Sequence, residues 1–296
     1  MRVDRRSLLR SSARLAAITA TAGLTATCSG ATDGRGRSAT AVAARPQPSH
    51  LAEGAEGTDP GTDPALPSSG STAAPSGAAT AEGVAPSPMV LPPVAPDTPL
   101  EVVTGPHTRP QLALTFHGQG DPAIATALLT AAEQRGARLT VMVVGSWLDE
   151  QPQMARRILD GGHELGNHTQ NHLDISSLPA DRARDEIAQC AQRLERLTGS
   201  IGRWFRPSAA QYATRMVKEQ AQQVGYQHVL SFDIDPRDYT DPGPDVVAKR
   251  VLKAAAAGSV VALHMGHPGT VTALPAILDG LAAKGLHAVT ASELCA

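Results

Sequence analysis

Residues 162–172 read Gly-His-Glu-Leu-Gly-Asn-His-Thr-Gln-Asn-His. Residues 163–166 have the composition of a short strand, and His168 and His172 follow it directly. Two histidines four positions apart lie on one face of a helical turn, where both imidazoles can reach one metal ion. Thr169 stands where the metalloprotease motif His-Glu-x-x-His has its glutamate, so this is a different motif. The stretch predicts a strand that leads into a pair of metal ligands.

Apolar runs and amphipathic segments alternate on both sides of this stretch. Seven runs have the length of strands, at residues 111–117, 138–145, 163–166, 203–206, 227–232, 259–264 and 286–290. Helices are predicted between them, at residues 121–136, 153–160, 179–197, 212–224, 246–256 and 271–283. Such alternation favours parallel strands joined by right-handed crossovers, either in a doubly wound sheet or in a barrel. Because the region is shorter than the ~250 residues of a complete eightfold barrel, we predict an α/β fold, a distorted, incomplete (β/α) barrel of about seven strands.

Polar side chains gather just after the predicted strands. They are His117, His168, Arg206, Asp233, Asp235, Asp238 and His264. In both architectures the carboxyl ends of parallel strands form the ligand-binding face. These residues therefore predict one common site.

The order of these landmarks resembles the polysaccharide deacetylases, the NodB-homology domain of family-four carbohydrate esterases, over roughly residues 111–294. The stretch 162–172 closely matches the metal motif of that family, and residues 205–207, Phe-Arg-Pro, resemble the start of its Phe-Arg-Pro-Pro-x-Gly motif. Residues 235–239, Asp-Pro-Arg-Asp-Tyr, are similar to its Asp-x-x-Asp-Trp motif, and residues 263–264 match its final Leu-His motif. The family fold is a distorted (β/α) barrel, which agrees with the strand pattern.

The resemblance implies metal-assisted hydrolysis of an acetyl group on a polysaccharide, with a divalent metal that is usually zinc. It implies that His168 and His172 bind the metal, that His264 is the general acid and that Arg206 orients the catalytic base. A metal in such a site lowers the pKa of a bound water towards ~7 and polarises the carbonyl. The expected substrate is a peptidoglycan or a chitin-like polymer.

The remaining assignments concern the surroundings of the general acid. Asp238, or alternatively Asp235, is expected to hold the imidazole of His264, as carboxylates commonly do for catalytic histidines. Tyr239, which replaces the tryptophan of the family motif, and Leu263 are assigned to substrate binding.

The first family motif, Thr-Phe-Asp-Asp-Gly, is changed here: residues 115–118 read Thr-Phe-His-Gly. In the family the two aspartates are the base and a metal ligand. His117 stands at the base position, and Gly118 offers no side chain at the ligand position. Asp121 could contribute a carboxylate, although capping the following helix is the favoured role.

This change leaves several interpretations open. In the first, the site is a rewired hydrolase in which His117 is the base, since an imidazole pKa near ~6.5 suits that task. Alternatively, His117 is the third ligand of a three-histidine zinc site. In a second interpretation, the domain is an inactive glycan-binding module. In a third, it is a deacylase of a small amide. The retention of the histidine pair, His264 and the two aspartates favours the hydrolase.

Composition divides the chain into two parts. No aromatic residue precedes Phe116, and residues 29–105 are rich in Ala, Pro, Ser, Gly and Thr. Such a segment cannot bury enough apolar surface to offset the entropy of ordering it. We predict a disordered linker at 29–105 and a folded domain at 106–296.

The first 28 residues have the composition of an export signal. Arg5 and Arg6 precede a mildly apolar stretch at residues 15–24, which resembles a twin-arginine signal more than an ordinary secretory one and is too short to span a bilayer. Cys28 is a possible lipoprotein site, with cleavage and no lipid as the alternative. We expect an extracellular or cell-envelope protein, in which Cys190 and Cys295 either form a disulfide or remain separate thiols. The net charge of -2 gives no electrostatic footprint for nucleic acid.

Overall fold

The computed structural model describes residues 92–296, in which eight parallel strands form one sheet with helices packed against it. The predicted export signal, Cys28 and the linker up to residue 91 lie outside the described residues. Within residues 92–296, no helix combines the length and the apolar character that crossing a membrane requires.

All seven predicted strands are present, together with one that the sequence did not predict. The strands are β1 (Glu101–Val102), β2 (Gln111–Gly118), β3 (Thr140–Val143), β4 (Glu164–Asn167), β5 (Trp204–Phe205), β6 (His228–Leu230), β7 (Val260–His264) and β8 (His287–Val289). The helices are α1 (Pro122–Glu133), α2 (Gly145–Glu150), α3 (Gln153–Asp160), α4 (Ala180–Thr198), α5 (Arg215–Val224), α6 (Pro244–Ala254), α7 (Pro268–Ala283) and α8 (Ala291–Leu294). Single 3-10 turns occur at Ile175–Ser177 and Asp238–Thr240.

The sheet has the order β1-β6-β5-β4-β3-β2-β7, and β8 pairs with the start of β2. Strand β2 is central: on one side its first residues pair with β8 and its later ones with β3, and on the other side it pairs with β7. The sheet does not close; a single isolated bridge, between Ile234 and Val261, joins the segment after β6 to β7. The fold prediction of a distorted, incomplete barrel is confirmed.

Strand β2 shows why these residues form a buried strand and how it positions the site. Its apolar run is continuous because both faces are covered, as is usual in parallel sheets. Leu112, Leu114 and Phe116 pack into the main core on one face. Successive side chains alternate between the faces, so Thr115 and His117 point to the opposite face, and the Thr115 hydroxyl donates to the Val261 carbonyl.

One boundary differs from the sequence-based expectation. The folded part begins before residue 106, since Val102 in β1 is buried and the Ser231 backbone N–H donates to its carbonyl. A two-residue strand held by such hydrogen bonds leaves no recognisable hydrophobic period. Asp121 caps α1 by accepting a hydrogen bond from the Ala123 N–H, as favoured.

The structure keeps the two cysteines of the domain as separate buried thiols. Cys190, in α4, belongs to the main core and its Sγ donates to the Val143 carbonyl. Cys295 follows α8 and packs in a second cluster with Trp204 and Val102. The disulfide alternative is therefore wrong, because the two thiols lie in different parts of the core.

Candidate active site

His117 and His264 lie side by side at the carboxyl ends of β2 and β7. They are directly paired in the register of the two strands. His117 Nδ1 is 2.8 Å from His264 Nε2. The proximity of these imidazoles is therefore a consequence of strand pairing.

His168 and Arg206 occupy equivalent places at the ends of β4 and β5, two neighbouring strands beyond β3. They follow the last residues of β4 and β5, Asn167 and Phe205, which are paired in register. His168 Nδ1 is 3.0 Å from the Arg206 carbonyl oxygen. A carbonyl only accepts, so Nδ1 carries the proton and Nε2 presents a lone pair. His168 Nε2 is buried and has no hydrogen-bond partner.

His172 reaches the same place from a loop, and the prediction of a helical turn is wrong. Thr169 and His172 have φ angles of 69° and 55°, in the left-handed region. Asn167 Oδ1 accepts from the Thr169 N–H, and Thr169 Oγ1 accepts from the His172 N–H. These local side-chain hydrogen bonds compete with helical ones and set the loop conformation. The loop is also tied to α4, because both the backbone N–H and the side-chain amide of Asn171 donate to the Glu186 carboxylate.

His117, His168 and His172 form the one group in residues 92–296 with the geometry of a metal site. One nitrogen of each lies within 4.8 Å of the others. Burial lowers the pKa of His117 and His168 well below the ordinary histidine value, and nearby positive groups add to the effect. Burial also lowers the pKa of His172. Neutral imidazoles are the form that binds metals, and together with the unpartnered Nε2 of His168 this donor set fits a divalent cation.

Asp238 holds the general-acid candidate, and Asp235 does not. Asp238 Oδ1 is 2.8 Å from His264 Nδ1, and its Oδ2 accepts from the His264 N–H and from Thr270 Oγ1. Asp235 instead accepts from the Arg237 N–H at the wall of the cavity. Asp238 is thus the positioning partner.

A chain of hydrogen bonds follows from the acceptor role of Asp238. Because His264 Nδ1–H donates to this carboxylate, its Nε2 accepts from His117 Nδ1–H. His117 Nε2 then has a lone pair, which faces Arg206 Nη1 at 3.4 Å. In this arrangement His117 is neutral, in agreement with its lowered pKa.

Arg206 is fully buried, and no carboxylate forms an ion pair with it in the described part of the chain. Its Nε donates to the Leu230 carbonyl, and the guanidinium lies 5.4 Å from the ring centre of Phe232. Burial lowers its pKa to about 9. The arginine remains next to the residue at the base position, although that residue is now a histidine.

Gly118 has no room for the side chain that the family motif carries there. A Cβ built on Gly118 would lie 2.7 Å from Val141 Cγ1 and 3.1 Å from Val143 Cγ1. Both valines belong to the neighbouring strand β3. The side chains of Val141 and Val143 therefore occupy the space that a carboxylate side chain at residue 118 would need.

The histidines of the candidate site border a cavity of about 420 Å³. Its lining includes His117, His172, His264, Tyr239, Asp235 and His267. The assignment of Leu263 to substrate binding is wrong: Leu263 is buried in the main core, whereas Ala262 and His264 on either side of it line the cavity. Alternation along β7 explains this difference.

His267 also lines the cavity, although it is not among the site residues predicted from the sequence. Its Nδ1 is 2.9 Å from Asp241 Oδ1, and its ring centre is 6.0 Å from that of His264. A signal was present in the sequence, because Asp241 precedes His267 by the same 26 residues that separate Asp238 from His264.

Comparisons with known proteins identify the family. Residues 104–229 match the family model described as polysaccharide deacetylase. A peptidoglycan-N-acetylglucosamine deacetylase of Bacillus cereus is 34% identical over 193 residues, which cover 64% of this chain and 90% of that protein. A chitooligosaccharide deacetylase of Bradyrhizobium is 30% identical, over 52% of this chain and 70% of its own.

Solved structures give the same fold. A peptidoglycan N-acetylglucosamine deacetylase bound to a hydroxamate-type benzamide superposes with a TM-score of 0.62 and 26% identity, over 66% of this chain and 92% of that one. A pseudoenzyme of family-four carbohydrate esterases from Bacillus anthracis superposes with a TM-score of 0.63 and 24% identity, over 67% and 70% of the two chains, a likeness that concerns the fold alone. The present chain belongs to the polysaccharide deacetylase family.

Proposed function

We propose that this protein is a metal-dependent deacetylase of N-acetylated cell-envelope polysaccharide, with a site in which His117 replaces the carboxylates of the family motif. The observation that carries the proposal is the unpartnered, buried Nε2 of His168 within the three-histidine group. A buried lone pair without a donor is unfavourable unless something binds it. His117, His168 and His172 are the proposed ligands, and zinc is the proposed metal.

A divalent cation at this place supplies Lewis-acid polarisation of a carbonyl oxygen and makes water nucleophilic near neutral pH. Bound by three neutral imidazoles, such a cation would keep its full double charge, which would compensate in part for the absence of an aspartate base. Carbonic anhydrase uses the same donor set with an open position.

His264 is the proposed general acid. Asp238 fixes its Nδ1–H, so that Nε2 is the nitrogen that exchanges a proton in the cavity. His117 Nδ1–H lies 2.8 Å from this Nε2 and helps to hold the ring in place. Without a metal, Arg206 Nη1 faces the His117 Nε2 lone pair at 3.4 Å, and metal binding through this nitrogen would replace that contact.

The test combines metal analysis with acetate release. The purified full-length protein should contain about one zinc per chain and release acetate from N-acetylglucosamine oligomers or peptidoglycan, and a chelator should abolish the release until zinc is restored. His168→Ala and His172→Ala should lose both metal and activity. His287→Ala is the matched control, because His287 is an exposed histidine in β8 outside the cavity.

A second candidate function is a glycan-binding module without catalysis. It is favoured by one observation: no carboxylate of the described residues joins the three-histidine group. Glycan binding with neither bound metal nor acetate release would support this alternative and contradict the hydrolase.

A further inference from the structure

Two His–Asp pairs stand next to each other at the carboxyl end of β7. Asp238 and Asp241 lie at the beginning and just after the end of the 3-10 turn Asp238–Thr240, and the Asp241 N–H donates to the Asp238 carbonyl. His264 ends β7, and His267 directly precedes α7. The two segments run side by side, and each aspartate meets a histidine 26 residues later.

The two pairs differ in their exposure. The side chain of Asp238 is completely buried and that of His264 is 15% exposed, whereas Asp241 and His267 are 65% and 27% exposed. The inner pair contributes to the packed core of the site, since Asp238 also accepts from Thr270. Asp241 is largely solvated, and packing does not account for the outer pair.

The orientation of His267 leaves one nitrogen available to a ligand. A carboxylate only accepts, so His267 Nδ1–H donates to Asp241. Asp241 does not line the cavity, but His267 does. Within residues 92–296, the hydrogen bonds of the His267 side chain involve Nδ1 alone. In the neutral imidazole, Nε2 therefore presents an acceptor lone pair, and the hydrogen bond to Asp241 orients the ring.

Three rings form one wall of the cavity. The ring centre of His264 is 5.0 Å from that of Tyr239 and 6.0 Å from that of His267. A sugar whose acetamido group lies at His264 is thus within reach of both neighbours. Tyr239 offers an aromatic face, and His267 offers a directional acceptor that suits a hydroxyl group.

We infer that His267, oriented by Asp241, is a substrate-positioning residue that accepts a hydrogen bond from a hydroxyl of the bound N-acetylated sugar oligomer. The inference rests on the proposed function only in that the cavity binds such a glycan. It does not require turnover. An oriented hydrogen bond of this kind contributes about a threefold to tenfold increase in affinity.

The experiment measures binding of chitotetraose by titration calorimetry to the full-length protein. His267→Ala should raise Kd about threefold to tenfold, and His267→Gln, whose amide oxygen also accepts, should restore part of the affinity. Asp241→Asn, which retains an acceptor and tolerates the left-handed backbone at this position, should have a smaller effect. His287→Ala is the matched control, with the affinity and melting temperature of the unchanged protein.

Acetate release gives a second readout. His267→Ala should raise KM and leave kcat within about twofold, because a positioning contact acts on binding. An unchanged Kd in His267→Ala, a loss confined to kcat, or no chitotetraose binding by the unchanged protein would overturn the inference. If the unchanged protein releases no acetate but Kd still depends on His267, the proposed function fails and the inference stands.

Discussion

His117 lies opposite His264 in the pairing of β2 with β7, and the two imidazoles are joined by a hydrogen bond of 2.8 Å between Nδ1 and Nε2. This contact links the residue that replaces the family base to the candidate general acid. It also connects the three-histidine group to Asp238. Substitution of His117 and of Asp238, the partner of His264, tests this connection.

Removal of His117 should weaken metal binding. If His117 is the third ligand, His117→Ala should lower zinc affinity by more than about 100-fold, since even partners of ligands contribute 10–100-fold. Competition with a chromogenic chelator measures the affinity. An affinity equal to that of His287→Ala would contradict the ligand role and leave His117 as a base candidate.

Neutralising Asp238 should impair proton transfer more than metal binding. Asp238→Asn lets the His264 ring adopt the other tautomer, and acetate release should fall by about 10²–10⁴-fold. The buried carboxylate also accepts two other hydrogen bonds, so some stability will be lost. Urea unfolding and zinc content of the same sample separate these effects. Unchanged kcat in a folded, zinc-loaded variant would exclude the positioning role.

Restoring the family aspartate at residue 118 should destabilise the protein. A Cβ at Gly118 approaches Val141 Cγ1 to 2.7 Å, and overpacking of this kind costs about 1–3 kcal/mol. Gly118→Asp should therefore lower the free energy of unfolding, and Val141→Ala should partly compensate for it. A double-mutant cycle measures the coupling. Additive effects would show that Val141 does not obstruct the position.

His163 should make the fold sensitive to acid. Burial lowers the pKa of His163, whose Nδ1 accepts from the Leu139 N–H while Nε2 faces Glu133 at 3.3 Å and Arg157 lies nearby. The unfolded chain takes up a proton near the ordinary pKa of ~6.5. The stability contribution is thus fully present above this pH and is lost as the pH falls towards the lower folded pKa.

The measurement for His163 compares unfolding free energies at pH 7.5 and pH 5. His163→Asn retains an acceptor for the Leu139 N–H but does not titrate, so it should lose less stability over this interval than the unchanged protein. One pKa unit of depression corresponds to about 1.4 kcal/mol. An equal loss in both proteins would assign the acid sensitivity to other groups.

The strand framework could be predicted from the sequence because its signals are local. Buried parallel strands such as β2 and β3 are continuous apolar runs, and the long helix α4 has a clear amphipathic period. Helices α2 and α8, with 6 and 4 residues, are too short to show a period. Strand β1 is recognisable only from its hydrogen bonds to β6.

The candidate site could be predicted in composition but not in detail. His117, His168, Arg206 and His264 lie at the carboxyl ends of parallel strands, so their convergence follows from topology. The loop that carries His172 depends on Asn167 and Thr169 side chains that bond to the backbone, and spacing alone suggests a helix instead. The role of Leu263 was misjudged because a motif match does not say which of two adjacent strand residues faces the cavity.

The attachment of Asn171 to Glu186 bears on how the proposed metal site would bind a cation. Both carboxylate oxygens of Glu186, on α4, hold the loop between His168 and His172. The entropy of ordering this loop is thus lost when the chain folds, before any ion arrives. Because the loop is already ordered, the free energy of metal binding is not reduced by the cost of ordering it. We therefore expect the backbone around both imidazoles to be the same in the metal-free and the metal-loaded protein.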